Sequence, residues 1–222
     1  MKISEAIAKR RKSLLSDSKS VLALIGGTTV AQILNFIFSP IATRLFSPEV
    51  FGDLSVFTSI TGIIGIIICL RYELAIILPH DDDEGFSLLR LCIIFTSIIS
   101  ILAGAIFLFA GKTIYASFGV PNLARYWYYV PISLFLTGII QACNYWLTRT
   151  RQFVVLSWNK VIPVIVVNVV SIGLGLLGNR ALGARLFAIL LSNIANIAVL
   201  AKAVAPEFIS KKHSSNSSYW QL

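Results

Sequence analysis

Arg71 and Glu73 interrupt an apolar run in the stretch 67–84, ICLRYELAIILPHDDDEG. Two positions apart on a helix means roughly opposite faces, so the two charges do not satisfy each other. Glu73 has Arg90, Arg149, Arg151 and Lys160 as cationic candidates, which makes Glu73, Arg149 and Arg151 a potential ion-pair or coupling set. For Arg71 no other apolar run supplies an Asp or Glu. An ionisable group at membrane depth is costly unless it snorkels, pairs or faces water. Two uses of Arg71 therefore stand: reaching out to the interface, or meeting an anionic ligand in a water-filled cavity. The acids Asp81, Asp82, Asp83 and Glu84 resemble a magnesium-binding cluster only superficially, because no second, spaced carboxylate cluster accompanies them. Placed before an apolar run, they complement a helix amino terminus and read as a capping turn.

Other reactive groups are isolated. Gly111-Lys112-Thr113 looks like the tail of a phosphate-binding loop, but Ile106 stands where that motif requires glycine. His80 and His213 have no nucleophile or ligand set around them. Cys69, Cys92 and Cys143 lie inside apolar runs at no metal-like spacing, as packing residues rather than a disulfide framework. The expectation is a protein that is not an enzyme, with no catalytic residues, no metal and no cofactor.

Polar stripes are more informative. Thr28, Gln32, Asn35 and Ser39 fall at steps of four, three and four, an arc of about 60° at 100° per residue. Ser133, Thr137, Gln141, Asn144 and Thr148 cover about 80° in the same way. Asn168 with Ser171, and Asn193 with Asn196, are shorter versions. Such faces avoid acyl chains and are expected to point inward, either as interhelical glue or as the lining of a path for a hydrophilic solute.

These residues need a scaffold, and composition names its solvent. Of the 222 residues 56% are hydrophobic and 13% charged, with a mean hydropathy of +0.81. Soluble domains are about 45–50% apolar and about 25% charged, so the chain belongs in a bilayer. Six segments suit a span of about 20 residues: Ser20–Ala42, Leu54–Leu70, Leu91–Ala110, Trp127–Leu147, Val161–Leu177 and Leu182–Ala201. The second, if it runs from Phe51 to Leu78, covers about 42 Å and leaves Arg71 near one edge of the hydrocarbon, with Glu73 closer to water. The predicted fold is all-α: a polytopic integral membrane bundle of six transmembrane helices. Residues 1–19 form a basic cytoplasmic tail, 20–205 a six-helix lobe and 206–222 a polar cytoplasmic tail.

Of the Lys and Arg residues, 14 fall on the side of the termini and 5 on the other. The positive-inside rule then puts both termini in the cytoplasm, consistent with an even number of spans. This sidedness, rather than nucleic-acid binding, accounts for the net charge of +9. Tyr126, Trp127, Tyr128 and Tyr129 at the outer boundary, and Tyr145, Trp146 and Trp158 at the inner one, fit an interfacial aromatic belt.

The stretch TRLFSPEVFGDLSVFTSITGIIG (43–65) followed by LRYELAIILP (70–79) resembles the amino-terminal signature of bacterial O-antigen and polysaccharide flippases. These belong to the multidrug/oligosaccharidyl-lipid/polysaccharide exporter superfamily. The resemblance rests on Arg44, the turn Pro48-Glu49-Val50-Phe51-Gly52, and Arg71-Tyr72-Glu73 ahead of Pro79. It implies alternating-access export of a polyprenyl-diphosphate-linked oligosaccharide across the bacterial inner membrane, driven by ion gradients without ATP. In that frame Arg71 becomes an anion contact, and Gln32, Asn35, Gln141 and Asn144 become sugar-facing groups. The implied partners are the lipid-linked oligosaccharide and membrane lipid. Such exporters carry twelve or fourteen helices in two lobes, whereas this sequence shows one. The expectation is a truncated or half-length member, completed by a second copy or a separate second half. The competing reading is a non-transporting assembly subunit of a polysaccharide biosynthesis complex.

Overall fold

Apolar stretches with few backbone breakers have to satisfy their peptide groups internally in lipid, and helices do so. The computed structural model describes the backbone of residues 2–79 and 81–217, and the side chains of 22, 24–79 and 81–204. Among the described residues there are six α-helices, two 3-10 helices and no strand. The α-helices are α1 (Lys2–Leu45), α2 (Pro48–Ile67), α3 (Asp82–Ser117), α4 (Tyr129–Arg149), α5 (Phe153–Leu176) and α6 (Leu182–Ser217). All six contain a stretch long and apolar enough to cross a membrane. The expected tails, 1–19 and 206–222, fall where only the backbone of 2–19 and 206–217 is described; it is helical and continuous with α1 and α6.

Local chemistry sets several ends. Ser47-Pro48 starts α2, where proline lacks only an amide proton that has no helical acceptor. Asp81 caps α3, its carboxylate accepting from the Asp83 amide at 3.1 Å, with Asp82, Asp83 and Glu84 in the first turn. The acidic stretch is thus the capping turn its position suggested. The fifth span starts at Phe153 rather than Val161, because residues 153–160, though more polar, continue the same helix. Pro163 therefore lies inside α5 rather than near its end.

Packing follows chain order only in part. The main partners are α1 on α5, α5 on α6, α4 on both α3 and α6, and α2 against α4 and α6. Two close approaches fix this arrangement. A Cβ on Gly27 of α1 would sit 2.8 Å from the Ser157 carbonyl oxygen of α5. One on Gly138 of α4 would sit 2.4 Å from Cγ2 of Thr96 on α3. Small residues at these crossings let backbones touch, the usual device of helix packing in lipid.

The sequence motif around the first turn has a structural role. Arg185 of α6 lies over the rings of Phe46 and Phe51, at 5.1 and 4.8 Å, on either side of Ser47-Pro48. Cation–π contacts of this kind strengthen when desolvated. Trp146 is not interfacial as expected: it is 2% exposed and meets Phe86 edge-on at 6.0 Å, because α3 and α4 close over it. Trp158 is exposed, and the Tyr126–Tyr129 cluster packs ring on ring, with Tyr128 and Tyr129 at 4.8 Å.

Candidate functional site

The expected run of α2 to Leu78 does not occur. The helix ends at Ile67, the chain turns through Leu70 and Arg71 at φ of 50° and 64°, and a 3-10 helix follows over Tyr72–Ile77. Neither Gly nor Pro enforces the turn. Tertiary burial does: Ile68, Cys69, Glu73 and Ile76 are all 0% exposed, facing α3 and α4. Cys69 Sγ lies 3.5 Å from Thr96 Oγ1 and 3.8 Å from the Gly138 carbonyl oxygen. Packing overrides local helix preference here, as it commonly does.

The turn reverses the expected places of the two charges. Arg71 is exposed at the head of the 3-10 helix, and Glu73 is buried. Glu73 takes its hydrogen bond from an amide, with Gln141 Nε2 donating to Oε1 at 2.8 Å, and Oε2 has no hydrogen-bond partner among the described residues. Arg149 does not pair with Glu73. Its Nη1 donates to the Ile76 carbonyl at 2.8 Å, Nη2 to the Asp81 carbonyl at 2.9 Å, and Nη2 also meets Asp82 Oδ1 at 3.1 Å. The side chain is 9% exposed and its fork staples the end of α4 to segment 76–82. Arg151, just beyond α4, is exposed at φ 55°.

On α4 the polar stripe does face inward. Ser133 is buried, while Thr137, Gln141, Asn144 and Thr148 are partly buried. The last four join Ile140 and Tyr145 of α4, Leu24 of α1, and Leu156 and Lys160 of α5 around a cavity of about 510 Å³. Cavities of 300–1,000 Å³ with a few convergent polar groups on an apolar lining are typical ligand sites. Asn159 Nδ2 donates to Asn144 Oδ1, and Thr148 Oγ1 donates to the Asn144 carbonyl at 2.8 Å. Among the described residues Lys160 is the only charged one in the lining, and no carboxylate accompanies it there.

The expected site residues therefore divide. Gln141 and Asn144 share one cavity, with Glu73 behind Gln141. Asn35 instead holds α1 to α5, accepting from Asn168 Nδ2 at 3.2 Å. Gln32, Thr28 and Ser39 are exposed rather than inward, because α1 packs chiefly on α5 and has little beyond it to turn toward. The Thr28 hydroxyl is satisfied by the Leu24 carbonyl of its own helix at 3.0 Å. Lys160 was expected only as a candidate partner of Glu73, and Asn159 not at all. Their signal was a lysine and an asparagine at the edge of an apolar run, legible only once that run is extended back to Phe153.

No curated protein and no solved structure matches the chain. A family model described as polysaccharide biosynthesis protein matches residues 18–220, which covers all six spans and the cavity. With six apolar helices of membrane-spanning length and a lysine-bearing cavity between α1, α4 and α5, this chain belongs to the polysaccharide biosynthesis protein family.

Proposed function

We propose that the chain carries a polyprenyl-diphosphate-linked oligosaccharide, an O-antigen or related repeat unit, across the bacterial inner membrane as one lobe of an exporter. The observation that carries this reading is the α4–α5 cavity, where amides, hydroxyls and one ammonium stand together within a membrane-spanning bundle. Membership of a polysaccharide biosynthesis family supports it. Gln141 and Asn144 meet sugar hydroxyls, Lys160 neutralises an anionic group, and the prenyl chain stays in lipid. Arg71, exposed at the end of the broken second span, is a second anion contact at the membrane edge. Lys and Arg bias puts both termini in the cytoplasm. The exposed polar face of α1, with Gln32, then turns toward a second lobe, supplied by another copy or a separate half.

Two interhelical amide pairs, Asn144–Asn159 and Asn35–Asn168, favour a second reading in which the stripes are glue and the chain is a non-transporting assembly subunit. Complementation of glycan export in cells lacking their own exporter separates the two. Lys160→Ala, Gln141→Ala and Asn144→Ala should each lower surface glycan about tenfold or more, with membrane levels of the chain unchanged. Normal export in all three variants sinks the carrier reading. Normal export in Arg71→Ala alone removes only Arg71.

A further inference from the structure

The two amides of α4 that line the cavity are each engaged by a residue outside its lining. Gln141 donates through Nε2 to Glu73, and Asn144 accepts through Oδ1 from Asn159 Nδ2. A primary amide carries two donors on its nitrogen and two acceptor sites on its oxygen, so a partner that holds one end orients the group and turns the other end toward a ligand. We infer that Glu73 and Asn159 are positioning residues that fix the hydrogen-bond polarity of the cavity, presenting Gln141 as an acceptor and Asn144 as a donor to a polyhydroxylated ligand. The inference rests on the exporter reading for the identity of the ligand, but not for the orientation of the amides.

Burial holds both orienting groups in place. Glu73 is 0% exposed and Asn159 is 4% exposed, so water does not compete for them. The Glu73 carboxyl accepts through Oε1, which turns the Gln141 carbonyl away from it. Thr148 extends the pattern: its hydroxyl proton is used on the Asn144 carbonyl, leaving its oxygen to accept. Lys160 can only donate. Acceptor, donor, acceptor and donor thus come from Gln141, Asn144, Thr148 and Lys160. A diol fits this set, because each hydroxyl both donates and accepts. An acyl chain would leave all four unmatched, each at the penalty of an unpaired polar group.

The test uses the full chain in lipid nanodiscs, labelled with nitrogen-15 at Gln and Asn side chains and assigned with Gln141→Leu and Asn144→Leu. The Gln141 amide protons should exchange with solvent at least tenfold more slowly than those of a free glutamine side chain in the same buffer. That protection should be lost in Glu73→Ala and reduced in near-isosteric Glu73→Gln. Asn159→Asp can only accept, so it should turn Asn144 around and protect an amide that is open in the wild type; Asn159→Ala should leave it open. In the same nanodiscs, binding of undecaprenyl-diphosphate-linked N-acetylglucosamine should weaken about tenfold in Glu73→Gln and in Asn159→Asp, the equivalent of one hydrogen bond. A Gln141 amide that exchanges as fast as a free glutamine side chain, or is unaffected by Glu73→Ala, overturns the positioning role. Unchanged probe affinity in correctly reoriented variants overturns the ligand half. A wild type that ignores the probe overturns that half together with the exporter reading, while amide exchange still decides the positioning half.

Discussion

Replacing Arg149 with alanine should loosen segment 68–82 while leaving the six spans in place. The guanidinium supports two backbone carbonyls and one carboxylate, and these differ in what they lose. Ile76 is 0% exposed, so its carbonyl is stranded without a partner, at about 2 kcal/mol. Asp81 and Asp82 are exposed and rehydrate, which limits their share to about 0.5 kcal/mol each. The Trp146 ring lies 6.0 Å from the guanidinium carbon, the outer limit of a cation–π contact, and adds little. Together these weaken local closure by about 3 kcal/mol, or roughly a hundredfold in the open population. Cys69 and Cys92 report that opening directly, since both are 0% exposed in the closed form. With Cys143 replaced by alanine, maleimide labelling of Cys69 and Cys92 should quicken about a hundredfold in Arg149→Ala. Arg149→Lys keeps the charge but loses the fork, and should fall between, about tenfold faster than wild type. Labelling of Arg149→Ala within threefold of wild type would refute the argument, by showing that the Ile76 carbonyl finds water at no cost.

Two further substitutions test the packing and the backbone. Gly138→Ala places a methyl 2.4 Å from Thr96 Cγ2 and 2.5 Å from its Oγ1, so α3 and α4 have to part, at about 3 kcal/mol in thermal or detergent unfolding. Thr96→Ala removes both atoms and should recover more than half of that loss in the double variant, a coupling of about 2 kcal/mol. At position 71, where φ is 64°, glycine should be more stable than alanine by about 1 kcal/mol. A helical segment would rank the two the other way.

The spans were legible because hydropathy and length act locally, and each of the six expected segments overlaps an observed helix. The α4 stripe and the acidic cap were legible for the same reason: spacing along one helix fixes a face, and charge before a helix start fixes a cap. The break after Ile67 was not, since Ile68-Cys69-Leu70-Arg71 carries no turn residue and bends only to bury Glu73 and Ile76 against α3 and α4. The stripes on α1 and α4 read alike in sequence. Only the neighbours differ: α4 sits among α2, α3, α5 and α6, whereas α1 leans chiefly on α5. Lys160 fell just outside the expected fifth span, which began at Val161, although the helix begins seven residues before it.

The pairing of α1 with α5 has a consequence for biogenesis. Asn35 and its partner Asn168 are 133 positions apart, and at about 5–20 residues per second the ribosome needs roughly ten seconds to close that interval. Throughout it, α1 waits with Asn35 lacking the amide of Asn168 that will donate to it. Docking of α1 on α5 is therefore a late event that follows synthesis of the fifth helix.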